Sequence, residues 1–167
     1  MNEDDKKIVL TDICGRLPYN VWVQIHDTFP YTRLPYKTVE LNIKSFTKLI
    51  TGVTEDRLLK RILKERPEYL EVKPYLRPLS SMTDEELKDL QKYSGLEYDQ
   101  LFVNEYGNNS WLDFYLEEIP SEVLILVFDW LNSHHFDYRH LIEKGLALEA
   151  PKDMYGSSNW HKMPTNK

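Results

Sequence analysis

The chain has one cysteine, few glycines and no long apolar run. Cys14 alone cannot close an internal disulfide, and no cysteine spacing suits a zinc site. The six glycines are scattered over 167 residues, so no glycine-rich loop exists to cradle a phosphate. No apolar stretch approaches the roughly 18 to 20 residues that a membrane span needs. The opening Met1-Asn2-Glu3-Asp4-Asp5 is acidic where a secretory leader would be basic and then apolar. Internal repeats and low-complexity blocks are also missing. Together these absences lead us to expect a soluble cytoplasmic protein that makes no membrane contact.

What is present fits a globular chain. The apolar fraction is 41% and the charged fraction 29%, which argues against wholesale disorder. A chain of this length buries enough surface to need no disulfide or metal. The net charge of −6 favours solubility and disfavours generic affinity for nucleic acid or anionic lipid. One domain is expected over residues 1–150. Beyond Pro151 the chain is rich in Lys, Ser, Asn and Pro, and residues 151–167 are expected to form a flexible tail.

Periodicity places the elements. A helix is predicted over residues 6–17, with Leu10, Ile13, Cys14 and Leu17 on its apolar face and Gly15 and Pro18 ending it. Cys14 then reads as a buried structural thiol. Residues 19–26 alternate as a strand, with Val21, Val23 and Ile25 inward. A second strand at 38–43 puts Val39, Leu41 and Ile43 inward and is expected to pair antiparallel with the first. A short helix follows around Phe46, Leu49 and Ile50. Residues 55–66 read as a helix with Leu58, Leu59, Ile62 and Leu63 buried and Arg57, Lys60, Arg61 and Lys64 opposite. The prolines of Lys73-Pro74-Tyr75-Leu76-Arg77-Pro78-Leu79-Ser80-Ser81 predict an ordered extended loop.

The sharpest local signal is Met82-Thr83-Asp84-Glu85-Glu86-Leu87. Thr83 and Glu86 make a capping box, and Met82 with Leu87 a hydrophobic staple, so a helix is predicted over 84–94 with Gly95 as its stop. Strands at 100–104 and 111–117 are joined by Gly107-Asn108-Asn109-Ser110 as a hairpin. Pro120 and Ser121 open an apolar helix running to about Ser133. Its apolar residues extend around most of its circumference, so it is buried on several sides or carries an interface. A short helix is predicted through Arg139-His140-Leu141-Ile142. The fold class is α+β: a small antiparallel sheet of about four strands, packed on one face by helices 84–94 and 120–134.

Two stretches carry a resemblance. One is Lys73-Pro74-Tyr75-Leu76-Arg77-Pro78-Leu79-Ser80-Ser81-Met82-Thr83. The other combines Asp129-Trp130-Leu131-Asn132, His135-Phe136-Asp137-Tyr138-Arg139 and Gly145-Leu146-Ala147-Leu148-Glu149-Ala150-Pro151. Together they resemble an uncharacterised family of small proteins encoded in prophages and other mobile elements of gut bacteria. The resemblance covers the C-terminal half and the segment before it, with Leu17-Pro18-Tyr19 its main trace in the N-terminal half. It departs at His140 and at Lys152-Asp153. It implies a bacterial prophage context and a shared fold, and it brings no activity with it.

The residues themselves offer several chemistries. His134, His135, Asp137 and His140 include zinc- and iron-ligand types, but neighbouring histidines on a helix point about 100° apart. Asp137 and His140, three apart, suit a shared ion better. No HExxH spacing or second cluster completes a ligand set, and we expect no metal and no cofactor. Asp113, Glu117 and Glu118 are acidic groups on or beside a strand. The basic face of Arg57, Lys60, Arg61 and Lys64 suits phosphates, though no aromatics are interleaved with it. Tyr75 and Arg77 sit in a stiff Pro-framed segment and are residue types favoured at interfaces. The same segment equally suits a core plug in which Leu76 and Leu79 face inward and Arg77 pairs with an acid.

The leading reading is a non-catalytic accessory protein that binds another protein, with Tyr75, Arg77, Trp130, His135, Asp137 and Arg139 as candidate binding residues. The alternatives are a small metal-dependent hydrolase built on His135 and Asp137, or nucleic-acid binding through the 55–66 helix.

Overall fold

A computed structural model of the chain describes residues 1–28, 36–51, 69–97, 100–106, 109–114 and 119–155. The expected basic helix at 55–66, the Pro30 to Pro35 loop and residues 115–117 of the second hairpin strand lie outside these residues. The chain divides into two compact units, Met1–Tyr75 with Gly145–Leu148, and Leu76–Lys144 with Glu149–Lys167. The α+β class is what the elements form. Among the described residues no helix is long and apolar enough to cross a membrane.

In the first unit, helix α1 spans Glu3–Arg16. It starts three residues before the expected position because Asn2 caps it. Asn2 Oδ1 accepts from Asp5 N at 2.7 Å, and Asn2 N donates to the Asp5 carboxylate at 3.4 Å. The buried face is Val9, Asp12, Ile13 and Arg16, whereas Leu10 and Cys14 are exposed. The expected apolar face was therefore rotated, and Cys14 is no buried thiol. The physical reason is an ion pair on the core side. Arg16 Nε and Nη2 donate to Asp12 Oδ2 and Oδ1 at 2.8 and 2.9 Å, and both side chains are sealed from solvent. A charge taken out of water is tolerated when paired in this bidentate way. Gly15 stays within the helix, which tightens into a 3-10 turn at Leu17–Tyr19 before Asn20 turns left-handed at φ 61°.

Strand β1, Val21–Asp27, buries Val21, Val23 and Ile25 on alternate positions, as expected. It pairs antiparallel with β2, Lys37–Leu41, from Val21 opposite Leu41 to Ile25 opposite Lys37. Ile43, expected on the strand's core face, instead opens helix α2, Ile43–Ile50, and is exposed. Asn42 and Ser45 exchange side-chain to backbone hydrogen bonds across that start, which ends the strand early. The first part of the Pro-framed segment expected as an extended loop, Lys73 to Leu76, is strand, and its end, Leu79–Ser81, is a 3-10 turn. β3, Leu70–Leu76, runs antiparallel to β1 on its other edge, with Pro74 opposite Val23. A proline normally counts against an interior strand because it cannot donate to the ladder. The sheet order is β2-β1-β3-β6, where β6 is only Leu148–Glu149.

In the second unit, the 3-10 turn Leu79–Ser81 leads into helix α3, Asp84–Ser94. Its capping box is formed as expected: Glu86 N donates to Thr83 Oγ1 at 3.2 Å and Thr83 N donates to Glu86 Oε2 at 3.0 Å. Gly95, at φ 73°, closes it, with Leu96 N donating to Gln91 O. Strands β4, Leu101–Tyr106, and β5, Asn109–Phe114, pair antiparallel and form a separate two-stranded sheet. They do not join the larger sheet, in which both edges of β1 are taken by β2 and β3. Helix α4, Ser121–Ser133, packs on α3, and α3 packs on β4. The core of this unit is Leu79, Leu90, Leu101, Val127, Trp130, Leu131 and Phe136, with Met82 and Leu87 of the staple against it.

The ion pair in α1 yields a direct test. Asp12→Ala leaves the Arg16 charge buried without its carboxylate and is expected to cost about 3–5 kcal/mol of unfolding free energy. Lys7→Ala, exposed on the same helix, should change it by less than about 0.5 kcal/mol. Equal shifts of the denaturant midpoint for the two variants would remove the ion pair from the account of this unit.

Candidate functional site

The second unit gathers most of the candidate residues around Arg77. Its backbone forms a one-residue parallel bridge: Arg77 N donates to His135 O at 2.8 Å and Asp137 N donates to Arg77 O at 2.7 Å. Its guanidinium donates to both oxygens of Glu86, at 2.8 and 3.0 Å, and lies 4.2 Å from the centre of the Phe136 ring. Forked pairing and ring stacking suit arginine and not lysine. Glu86 is placed for this by the capping box, so one carboxylate closes α3 and holds Arg77. Burial pushes the Glu86 carboxyl up, but hydrogen bonds from Arg77 and from Thr83 N, and the Arg77 charge, bring it net below its ordinary value.

The histidine cluster is built from the end of α4. Phe136 N donates to Leu131 O at 3.0 Å and His135 N to Asn132 O at 3.2 Å. This closing pattern usually places glycine at the left-handed position. Here His135 occupies it at φ 59°. The His135 ring stacks on Tyr155, centroids 3.8 Å apart and planes within 12°. His134 is buried and stacks on Trp130 at 3.7 Å, its Nδ1 donating to Trp130 O at 2.9 Å. Burial lowers the His134 pKa, and Arg77 adds to that, while the Trp130 carbonyl, Glu86 and Asp89 pull against it without prevailing.

The remaining candidates are placed as follows. Trp130, a candidate binding residue, is wholly buried, and its Nε1 donates to Asp89 at 3.0 Å, so it serves the core and offers no surface. Asp137 is also buried. Its two oxygens accept from Leu141 N and Ile142 N at 2.9 and 2.7 Å. That capping replaces the short helix expected at 139–142 with a turn, in which His140 is left-handed at φ 57°. His140 Nδ1 lies 3.8 Å from Glu143. Among the described residues no group of three or more His, Cys, Asp or Glu is placed to hold a metal ion. Arg139 sits over the Tyr138 ring at 5.1 Å. Tyr75 belongs to the first unit, where Gln24 Nε2 donates to its hydroxyl at 3.2 Å. Arg57, Lys60, Arg61 and Lys64 lie outside the described residues.

Two surfaces of the second unit stand out in the structure. One is a cleft of about 470 Å³, lined by Arg77, Pro78 and Glu86 on one side and by residues 149–153 and Tyr155 on the other. The chain from Pro151, expected to be loose, turns here with Met154 N donating to Pro151 O at 2.9 Å. The other is the outer face of α4. Ile125 is 66% exposed, Phe128 40% and Leu126 37%. Phe128 meets the Tyr138 ring at 5.0 Å, and Tyr138 donates to Asn132 Oδ1 at 3.1 Å. The sequence did signal this second surface, since the apolar residues of α4 exceed one face.

No family model, no curated protein and no solved structure matches the chain.

Two tests follow from the Arg77 cluster. Arg77→Lys keeps the charge but loses the fork and the ring contact, and is expected to destabilise the fold by about 1–3 kcal/mol in denaturant titrations. An unchanged midpoint would show that charge alone suffices. The second test is pH dependence. The folded pKa of His134 lies below its unfolded value, so its contribution is complete above the ordinary histidine range and is lost as pH falls through it. Glu86 is depressed as well, and its contribution is lost at lower pH, below the ordinary carboxylate range. Stability should therefore decline between about pH 7 and about pH 5 in the wild type, and His134→Gln should flatten that window. A slope unaltered by His134→Gln would assign the decline to other groups.

Proposed function

We propose that this chain is a non-catalytic accessory protein that acts by binding another protein, and that the outer face of α4 is where it docks. The observation that carries the reading is the exposure of Ile125, Leu126 and Phe128 on a helix whose opposite face, Val127, Trp130 and Leu131, is already buried. An apolar set beyond what the core uses is the usual mark of an interaction surface. Tyr138 and Arg139 flank it, and aromatics and arginine are the types most enriched at interface centres. A prophage or mobile-element setting belongs to the same proposal and is supported by the sequence resemblance alone. The hydrolase alternative is less favoured, because both oxygens of Asp137 are engaged by backbone N–H groups.

A benzophenone-bearing residue in place of Ile125 or of Phe128 should give a single photo-adduct in the cells that make this protein. Neither the same label at Lys88, exposed on α3, nor the label at Ile125 combined with Leu126→Asp should give it. Melting temperatures should stay close to the wild type, since exposed positions change stability by about 0.5 kcal/mol or less. An adduct with a second copy of the chain would make the partner the protein itself. No adduct, or equal adducts from Lys88, would end the proposal.

A further inference from the structure

We propose that residues 156–167 of this chain occupy the outer face of α4, so that a partner docks there only by displacing them. The inference rests on the reading of that face as a docking surface and deepens it by naming an occupant from within the chain.

The face has a definite chemistry. Ile125, Leu126 and Phe128 are its exposed apolar side chains, and the Tyr138 ring widens it, 5.0 Å from that of Phe128. Glu122 is exposed and Asp129 half-buried. They stand three residues before and four after Ile125, so both share its side of the helix. The Tyr93 hydroxyl donates to Asp129 at 3.0 Å and holds it beside α3. α4 carries no lysine or arginine. An occupant that matches this face is therefore apolar and cationic. A second copy of the face is apolar but not cationic, and copies with a net charge of −6 repel each other.

Residues 156–167 have the matching composition. They read Gly-Ser-Ser-Asn-Trp-His-Lys-Met-Pro-Thr-Asn-Lys, with Trp160 and Met163 apolar, Lys162 and Lys167 cationic, and no acid. They lie outside the described residues, but the place where they begin is described. The Tyr155 ring stacks at 3.8 Å on His135, the left-handed residue that closes α4. The segment thus starts at the C-terminal end of the helix whose face it matches, within the same compact unit.

The distances agree with this. Phe128 lies seven residues before His135, which is roughly 10 Å back along the helix axis. Trp160 lies five residues beyond Tyr155, and such a stretch spans up to about 17 Å when extended. Running back along α4, the segment brings Trp160 to the Phe128 and Tyr138 rings. It carries Lys162 and Lys167 on towards Asp129 and Glu122. The tether makes the contact intramolecular, so a weak intrinsic affinity suffices to fill the face.

The test uses the purified full chain at low concentration, with a benzophenone-bearing residue in place of Phe128. Irradiation should link that position to residues 156–167 of the same chain, read by peptide mapping at the mass of one chain. Trp160→Ser should abolish the link, and joint Lys162→Glu and Lys167→Glu should reduce it about threefold. The label at Lys88 should give no such link. In cells, Trp160→Ser should raise the yield of the partner adduct from Phe128. The proposal is overturned by no internal link, by an equal link from Lys88, by a link between two copies in its place, or by a link that these variants leave unchanged. A partner yield that ignores Trp160→Ser overturns the displacement. An internal link with no partner adduct in cells would support the occupancy and end the reading of α4 as a site for another protein.

Discussion

Arg77 is the residue on which the second unit turns. Its backbone joins the end of β3 to the segment after α4, and its side chain joins both to the first turn of α3. The partner in that last contact, Glu86, is also the closing half of the Thr83 capping box. The end of β3, the start of α3 nine residues on and the distant 135–137 segment are therefore referred to one arginine. A buried or half-buried arginine holds such a node well because its donors form a rigid planar fork and its faces stack on rings. The Phe136 ring lies between this cation and the core, stacked at 5.9 Å on Trp130, which continues the order inward. Trp130 in turn stacks on His134 and donates to Asp89, so the Arg77 node continues into these groups.

That connectivity bears on function. Asp137, His134 and Arg77 looked like chemistry in the sequence because of their types. In the fold each has structural work: Asp137 caps a turn, His134 stacks under the end of α4, and Arg77 binds Glu86. Buried polar groups must be paired, and pairing them inside the fold removes them from the surface as reactive groups. On the outer face of α4, by contrast, Ile125, Leu126 and Phe128 are apolar side chains that the core does not use. The proposed docking surface is made of these side chains.

Legibility followed the range of the interactions. The α3 start was readable in full, because Thr83, Glu86, Met82 and Leu87 interact within five residues of one another. The β1 alternation and the β4–β5 hairpin were readable from period two and a turn sequence. The face of α1 was misread because a buried Asp12–Arg16 pair looks polar in sequence, so the apolar stripe was drawn through Leu10 and Cys14. β3 was read as a loop because Pro74 argues against pairing, and nothing local reveals that β1 lies beside it. The 139–142 turn was read as helix because the Asp137 carboxylate, which comes before the apolar pair Leu141 and Ile142, accepts from their N–H groups and replaces the helical bonds. Of the site, Arg77 was legible as an interface-prone residue or as a partner to an acid, and its acid, Glu86, was named only for its cap. Tyr155 carried no signal, since its role comes from a stack on His135 that is formed across twenty residues.

The outer face of α4 sets one physical constraint against another. Exposed Ile125, Leu126 and Phe128 favour association, and a protein that displays them needs some opposition to indiscriminate clustering. The net charge of −6 supplies a general repulsion between copies that falls off within a Debye length. If the α4 face docks a partner as proposed, an apolar face on an acidic chain would select one that matches it at short range and tolerates or complements negative charge at long range. A basic partner surface would meet both conditions, approaching through the long-range field and remaining through apolar contact. Charge would then govern the rate of encounter and the α4 face the residence time, which is the division expected when electrostatic and apolar surfaces act in one interface.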